Sequence, residues 1–191
     1  MNKLYVVKKK IFNYLLYIGL LIFILFNLSN SFKQYYAATL DGDVVESVLP
    51  YSGIQKTFDD PTGIKTIINK DNHHNPNRFF SHYFLHKTFR VVPPIFQKFV
   101  DPVESVYYTS ACSKLVMQLI ILLLLATIIC GAINIFSLKF ISTAAILIPF
   151  FQTNGWRLVC EIGIIDRSVS YCFFYTLPLI FLLLYNESKH E

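Results

Sequence analysis

The chain has 191 residues, of which 54% are apolar, 16% are aromatic and only 15% are charged, and its formal net charge is +5. Soluble domains contain about 25% charged residues, so this composition excludes a disordered chain and an ordinary soluble enzyme. The sequence lacks the basic and aromatic pattern of nucleic-acid-binding proteins, and we expect no nucleic-acid partner. The excess of basic residues instead fits the charge bias that orients membrane proteins.

Four apolar segments are candidates for membrane-spanning helices. A helix needs roughly 20 mostly apolar residues to cross the bilayer core, and the segments are 11–28, 114–136, 137–151 and 171–185. The third combines a turn with a short apolar stretch, so a buried or re-entrant segment is the alternative there. The sequence therefore predicts an all-α membrane protein with about four transmembrane helices.

Positive charge before the first segment sets the predicted orientation. Four lysines and no acidic residue precede it: Lys3, Lys8, Lys9 and Lys10. This bias places the N-terminus, 1–10, in the cytoplasm. Alternation then places the first outer loop (29–113) and the second outer loop (152–170) outside, and the tail (186–191) inside. We interpret the first helix as an uncleaved anchor and expect a bacterial inner (plasma) membrane protein in contact with membrane lipids.

The first outer loop is predicted to be a folded, mostly helical extracytoplasmic domain, because its 14 aromatic residues are too many for a linker. Asp43 and Glu46 have capping-box spacing, so we expect Asp43 to cap a short helix that Pro50 ends. The sequence 60–63 suits a type I turn, and 64–68 is expected to form a brief strand or extended piece.

The second half of this loop contains two further helix signals. The segment 78–89 is expected to form a helix capped by Asn77, and its aromatic residues favour a position along the membrane surface. Pro102 or Val103 is expected to begin the helix that enters the second span.

Asp41 and Asp43 form a candidate acidic pair shortly after the first span. Two carboxylates two residues apart can hold a divalent cation against a diphosphate, since hard cations prefer oxygen ligands. One of them could instead act as a general base. The structural alternative is that Asp43 caps a helix and Asp41 closes a turn, which are common positions for aspartate.

His82 and His86 stand four residues apart and therefore on one face of the predicted helix. A transition-metal site needs three or four ligands, and the pattern HExxH is absent, so we expect no metal site here. We expect these histidines to be interfacial or hydrogen-bonded residues. The alternative is that they contact a lipid phosphate or pyrophosphate together with Arg78 and Arg90, because the planar guanidinium binds two phosphate oxygens at once, and Arg78 and His82 are therefore candidates for substrate binding.

The second outer loop supplies another candidate patch, which includes Arg157 and Arg167 and is expected to face the first outer loop. Arg157 is a candidate for substrate binding. No charged residue is expected deep in any span, with Lys114 and Lys139 at span edges, and this counts against a proton-coupled transporter.

The order of these features resembles the GT-C type integral-membrane glycosyltransferases: a cytoplasmic N-terminus, one span, a long outer loop with a DxD-like pair, then closely spaced spans. The resemblance implies catalysis or metal binding by an acidic residue of the first outer loop, with Asp41 and Asp43 at the matching positions. It also implies a lipid-linked sugar phosphate or diphosphate as donor, and it leaves a divalent cation as a conditional cofactor.

The segment from Asp41 to His82 also resembles the N-terminal part of polytopic bacterial membrane proteins of unknown function. Enzymes of the GT-C type have many more than four spans, so we expect this chain to be the front part of a longer protein or a truncated product.

The predicted function is therefore a multi-pass integral membrane protein, a GT-C-like glycosyltransferase or a truncated remnant of one. The alternative is a non-catalytic membrane assembly subunit or a transporter fragment. The two interpretations differ on whether Asp41 and Asp43 share a cavity with the patch of the second outer loop.

Overall fold

A computed structural model describes residues 3–49, 51–72, 78–131, 134–151, 165 and 167–187. Within these ranges the regular elements are all helical and no strand occurs. The helices of the first two thirds of the described chain are α1 (Lys3–Tyr36), α2 (Gly42–Val48), α3 (Ser52–Asp59), α4 (Ile64–Asn69), α5 (Phe79–Val91), α6 (Pro93–Phe96) and α7 (Pro102–Cys130). The remaining elements are α8 (Leu138–Leu147) with a 3-10 turn (Ile148–Phe151), α9 (Val169–Tyr171), a π-helical segment (Cys172–Thr176) and α10 (Leu177–Glu187).

Three helices in the described ranges are long and apolar enough to cross a membrane: Val6–Tyr36, Pro102–Cys130 and Val169–Asn186. The prediction of an all-helical fold is thus confirmed for the described residues, and these apolar helices are compatible with a membrane location. The fourth apolar element, Leu138–Phe151, is a shorter helix. The helices also extend beyond the apolar segments, because a helix ends at a cap or a breaker rather than where its hydrophobicity ends.

The long helices α1, α7 and α8 pack against one another and form the main core. At one end of α1 and α7, an aromatic cluster joins the two helices. The Tyr36 ring lies 4.9 Å from Tyr108 and 6.1 Å from Tyr107, and Phe96 of α6 lies 5.7 Å from Tyr108. Aromatic side chains are enriched where a membrane meets water.

The helix α7 begins at Pro102, as expected, because Asp101 caps it by accepting from the main-chain N–H groups of Val103 (2.8 Å) and Glu104 (3.0 Å). Because α7 begins at Pro102, Lys114 lies well inside this helix, and its side chain is fully buried at 0% exposure. We expected Lys114 at the edge of the second span, but the helix that is long and apolar enough to cross a membrane runs from Pro102 to Cys130, so Lys114 lies within it. Its ammonium donates to the main-chain carbonyl of Arg167.

A buried polar network lies beside Lys114, between α1, α7 and the 3-10 turn. The Tyr35 hydroxyl donates to Gln118 Oε1 at 3.0 Å and lies 3.4 Å from the Phe151 carbonyl. Gln118 Nε2 donates to Ser31 Oγ at 3.1 Å. In a bilayer core such groups need partners inside the protein, and this network supplies them.

The strand expected at 64–68 is wrong, since these residues form α4. The turn before them explains the difference. Gly63 adopts a left-handed conformation (φ 71°), and Asp60 Oδ2 accepts from the Thr66 N–H at 2.8 Å. An aspartate acceptor on a free N–H of the first helical turn stabilises a helix over an extended segment.

The helix α5 is central to the short helices, because it packs against α2, α3 and α6. It begins at Phe79, and its flanking residue Arg78 has a left-handed backbone (φ 65°). The predicted cap, Asn77, lies outside the described residues. Four side chains of α5 are buried within the protein: Ser81, Leu85, His86 and Phe89.

The C-terminal helix (169–187) combines α9, the π-helical segment and α10. Ser168 caps its start by accepting from the Tyr171 N–H at 3.2 Å. Pro178 has no N–H to donate to the carbonyl of Phe174, and this missing bond accounts for a wider helical turn just before the proline.

Candidate functional site: a carboxylate cleft beside the C-terminal helix

A cleft of about 730 Å³ opens where α1 ends, α2 begins and the C-terminal helix starts. Its volume is in the range of small-molecule sites. Its lining residues are Ala37, Ala38, Thr39, Asp41, Gly42, Asp43, Arg167, Ser168 and Tyr171. The cleft therefore brings the predicted acidic pair together with Arg167 of the second outer patch.

Asp41, and not Asp43, caps α2. Asp41 Oδ1 accepts from the Val44 N–H at 3.2 Å, and the helix begins at Gly42. The prediction that Asp43 is the cap is wrong, because the helix begins two residues earlier than the capping-box spacing indicated. Asp43 lies in the first turn of α2, where a negative charge is favourable to the helix dipole.

Asp41 also holds the start of the C-terminal helix. Its Oδ2 accepts from the Ser168 hydroxyl at 2.7 Å and from the Ser170 N–H at 3.1 Å, and its Oδ1 accepts from the Ser170 hydroxyl. One carboxylate thus joins two helix N-termini that are far apart in the sequence. Both oxygens of Asp41 are engaged in hydrogen bonds, so this residue has a structural role.

The pKa of Asp41 reflects these contacts. Burial acts to raise the pKa, but the hydrogen bonds from Ser168, Ser170 and Val44 outweigh it and hold the pKa below its ordinary value. The carboxylate form is therefore stabilised. A strongly stabilised carboxylate is a poor proton acceptor, because a general base works best with a pKa near the operating pH.

Asp43 differs from Asp41 in this respect. Its side chain is half-buried, and burial raises its pKa, followed by the negative charges of Asp41 and Glu46. The positive charge of Arg78 opposes this shift in part. A carboxylate with a raised pKa that lines a cleft is a candidate for proton transfer.

Arg78 lies between α5 and the π-helical segment, with its guanidinium fixed by two aromatic rings. The guanidinium carbon is 4.8 Å from the Tyr175 ring centre and 5.0 Å from that of Phe174, and Nη2 donates to the Tyr175 hydroxyl at 2.7 Å. Stacking orients a guanidinium without using all its donors. The side chain is exposed, so it remains accessible to an anion.

His82 and His86 connect this region to α2. The His82 ring lies 4.6 Å from Phe174 and 5.9 Å from His86. The Ser47 hydroxyl donates to the Asp43 carbonyl at 2.8 Å, so its oxygen is left to accept from His86 Nδ1 at 2.7 Å. These contacts give the histidines a packing and hydrogen-bonding role.

No group of three or more His, Cys, Asp or Glu side chains that could hold a metal ion occurs in the part of the chain that the structure describes. The candidate ligands Asp41 and Asp43 have unequal surroundings. The Asp41 carboxylate accepts hydrogen bonds from three donor groups of Ser168 and Ser170, whereas Asp43 has no such contact with these serines. A cation shared equally by the two carboxylates has no support in this arrangement.

The sequence analysis missed three residues of this region. Ser168 and Ser170 hold Asp41, and Tyr175 binds Arg78. The two serines directly precede the fourth apolar segment. This position is typical of helix caps, so the sequence could have predicted a capping role for them. The predicted binding residue Arg157 lies outside the described residues.

No protein-family model, curated protein or solved structure significantly matches the chain.

Proposed function

We propose that the chain is a multi-pass protein of a bacterial inner membrane that transfers a sugar from a lipid-linked phosphate donor, as the resemblance to GT-C type glycosyltransferases implies. In this proposal the N-terminus is cytoplasmic and α2–α6 lie on the outer side. The proposed chemistry depends on one observation about Asp43. Its carboxyl group is half-buried in the cleft that Arg167 also lines, and its pKa is raised.

The depth of the cleft supports a lipid-linked substrate. From Tyr108 to Cys130, α7 rises by about 33 Å at 1.5 Å per residue, close to the thickness of a bilayer core. At the far end, Lys139 Nζ donates to the Cys130 carbonyl at 2.9 Å. The aromatic cluster and this lysine thus mark two interfaces, and the cleft lies near the aromatic one, at the depth of lipid headgroups.

Chain direction supports four passages through the membrane. α7 ends at Cys130, whereas the start of the C-terminal helix lies near Lys114, because the Lys114 ammonium contacts Arg167. In this proposal the chain returns across the membrane between these two points. The described part of the return, 138–151, reaches the level of Gln118, about 18 Å above Cys130 by helical rise, because Tyr35 contacts both Gln118 and Phe151. This supports a short third passage.

In the proposed reaction Asp43, the two arginines and Asp41 have different roles. Asp43 takes the proton from the acceptor hydroxyl, without a metal ion, because its raised pKa makes it the better base of the pair. Arg167 in the cleft and Arg78 beside it bind the phosphate of the donor, since guanidinium groups match phosphate geometry. Asp41 positions the start of the C-terminal helix, including Ser168 of the cleft wall.

A non-catalytic assembly subunit or transporter fragment is the second candidate function. It is favoured by the hydrogen bonds of Asp41, which show that one member of the acidic pair is structural. The buried Lys114 also weakens the earlier argument against a transporter, since ionisable residues inside a membrane often mark substrate or ion pathways.

The experiment that separates these functions uses the purified chain in liposomes with a polyprenyl-phosphate hexose as donor. Cleavage of the donor is measured for the wild type and for Asp43→Asn, which removes the base but keeps size. We expect cleavage to fall about 100-fold or more, the usual contribution of a general base. The matched control is Asp59→Asn, the same substitution at an exposed aspartate of α3 outside the described cleft lining. Absence of cleavage by the wild type, or unchanged cleavage by Asp43→Asn, would favour the non-catalytic function.

A further inference from the structure

A second cavity of about 620 Å³ lies on the other side of α2, between α2, α3, α5 and α6 and the first turns of α7. It shares no lining residue with the carboxylate cleft. Its lining residues are Ser47, Val48, Tyr51, Ser52, Ile54, Gln55, Phe58, His86, Phe89, Arg90, Pro93, Pro94, Gln97, Pro102 and Val106.

The floor of this cavity is polar and rigid. His86 is only 1% exposed and is fixed by the 2.7 Å contact between its Nδ1 and Ser47 Oγ. Ser47 is also buried. Buried polar groups that face a cavity provide hydrogen-bond specificity for the body of a ligand.

The walls are mostly apolar and include flat faces. Ile54, Phe89 and Pro93 are buried against the cavity, and Phe58 is half-buried at its side. Flat apolar walls with separate hydrogen-bonding groups suit a ring that carries hydroxyl groups.

The mouth carries the single charged side chain of the lining, Arg90. Its guanidinium carbon lies 5.3 Å from the centre of the Phe58 ring, so the stacked group is oriented with its edge available. Among the described residues that line the second cavity, Arg90 is the one with a formal charge, and this favours an anionic ligand there.

We propose that the second cavity binds a small, water-soluble phosphate monoester of a hydroxylated ring compound. Arg90 binds the phosphate, Phe58 and Phe89 contact the ring, and Ser47 Oγ accepts from one of its hydroxyl groups. Pro102 and Val106 place the cavity beside the first turns of α7, beyond the aromatic cluster at Tyr108, which favours a soluble ligand over a lipid. The site is independent of the transfer reaction proposed for Asp43.

The test measures binding to the purified full chain in detergent by isothermal titration calorimetry. The probes are glucose 1-phosphate, uridine 5′-monophosphate, inorganic phosphate and glucose. We expect at least one of the two organic phosphates to bind more than about tenfold more tightly than inorganic phosphate or glucose, since ring and phosphate contacts add. The organic phosphate that binds more tightly shows whether the cavity prefers a hexose or a nucleoside.

Arg90→Gln should weaken that binding by about tenfold or more, because a charge-assisted bidentate contact is lost. Lys87→Gln is the matched control: Lys87 is exposed on the same helix and contacts Tyr83 rather than the cavity. Its binding should stay within about twofold of the wild type. The proposal is overturned if neither organic phosphate binds more tightly than inorganic phosphate, or if both variants weaken binding equally.

Discussion

Asp41 accepts hydrogen bonds from both the main-chain N–H and the hydroxyl of Ser170, although the two residues are 129 positions apart. The same carboxylate caps α2 through Val44. The start of α2, which carries Asp43, is therefore fixed to the start of the C-terminal helix. This single side chain therefore joins the two parts of the cleft wall that hold Asp43 and Ser168.

Loss of the Asp41 carboxylate should destabilise the protein. Asp41→Asn keeps a capping oxygen but turns an amide N–H₂ toward the Ser170 N–H, and we expect a cost of about 1–2 kcal/mol. Asp41→Ala loses the cap as well and should cost about 2–4 kcal/mol. Thermal unfolding in detergent measures both.

Asp101 provides the matched control for this substitution. It caps α7 through Val103 and Glu104, its contacts are local, and it is exposed. Asparagine replaces aspartate well at such a cap, so Asp101→Asn should cost a few tenths of a kcal/mol. Equal losses for Asp41→Asn and Asp101→Asn would show that the contacts to the serines add nothing.

The two aspartates should affect stability with opposite dependence on pH. The pKa of Asp41 is lowered by folding, so its stabilising contribution is present above the unfolded value of 3.8 and is lost as the pH falls through the folded pKa. The pKa of Asp43 is raised, so its charged form opposes folding above the folded pKa. This penalty is relieved as the pH falls toward 3.8.

Asp43→Asn should therefore be as stable as the wild type at pH 7, or slightly more stable. The difference between the two should disappear as the pH falls through the window just above 3.8, where the wild-type carboxylate becomes protonated. Unfolding midpoints measured between pH 7 and acidic conditions test this. A lower midpoint for Asp43→Asn at pH 7 would mean that the carboxylate is structural, like Asp41.

The sequence was sufficient for the apolar helices, because membrane-length hydrophobicity is a local property of the chain. It also predicted that α7 begins at Pro102 or Val103, and the helix begins at Pro102, since a proline is a local signal for a helix start. The pairing of Asp41 with Ser168 and Ser170 was not accessible, because it depends on how distant helices pack. For the same reason Lys114 was placed at an edge, whereas tertiary contacts bury it within the bundle.

Short-range signals also failed where two of them competed. Asp43 with Glu46 has the spacing of a capping box, but Asp41 is used because it reaches Val44 and the serines of another helix at once. In 64–68, β-branched residues favoured a strand, yet Asp60 and Gly63 establish a helix start. Tertiary contacts and caps outweigh intrinsic propensities of a few tenths of a kcal/mol.

The proposed topology predicts labelling of the first outer loop from outside the cell. A single cysteine at Lys65, an exposed position on α4, should react with an impermeant maleimide in intact cells whose outer membrane is permeabilised. Thr57→Cys is the matched control in the same loop, because Thr57 is 0% exposed and should react only after denaturation. Both are made in a cysteine-free background. Reaction of Lys65→Cys only after lysis of the inner membrane would reverse the orientation.

Gly63 should be intolerant of a side chain. Its φ of 71° is unfavourable for other residues, and a Cβ atom there would overlap the ring of Phe79, the first residue of α5. We expect Gly63→Ala to cost about 2–4 kcal/mol from backbone strain and overpacking together. Gly42→Ala is the control, since a Cβ atom at Gly42 meets no atom within 4 Å and its φ is not positive. That variant should be neutral or more stable by about 0.5–1 kcal/mol. Thermal unfolding of the two variants in the same detergent decides the matter: similar midpoints would mean that the turn before α4 does not pack against α5 as described.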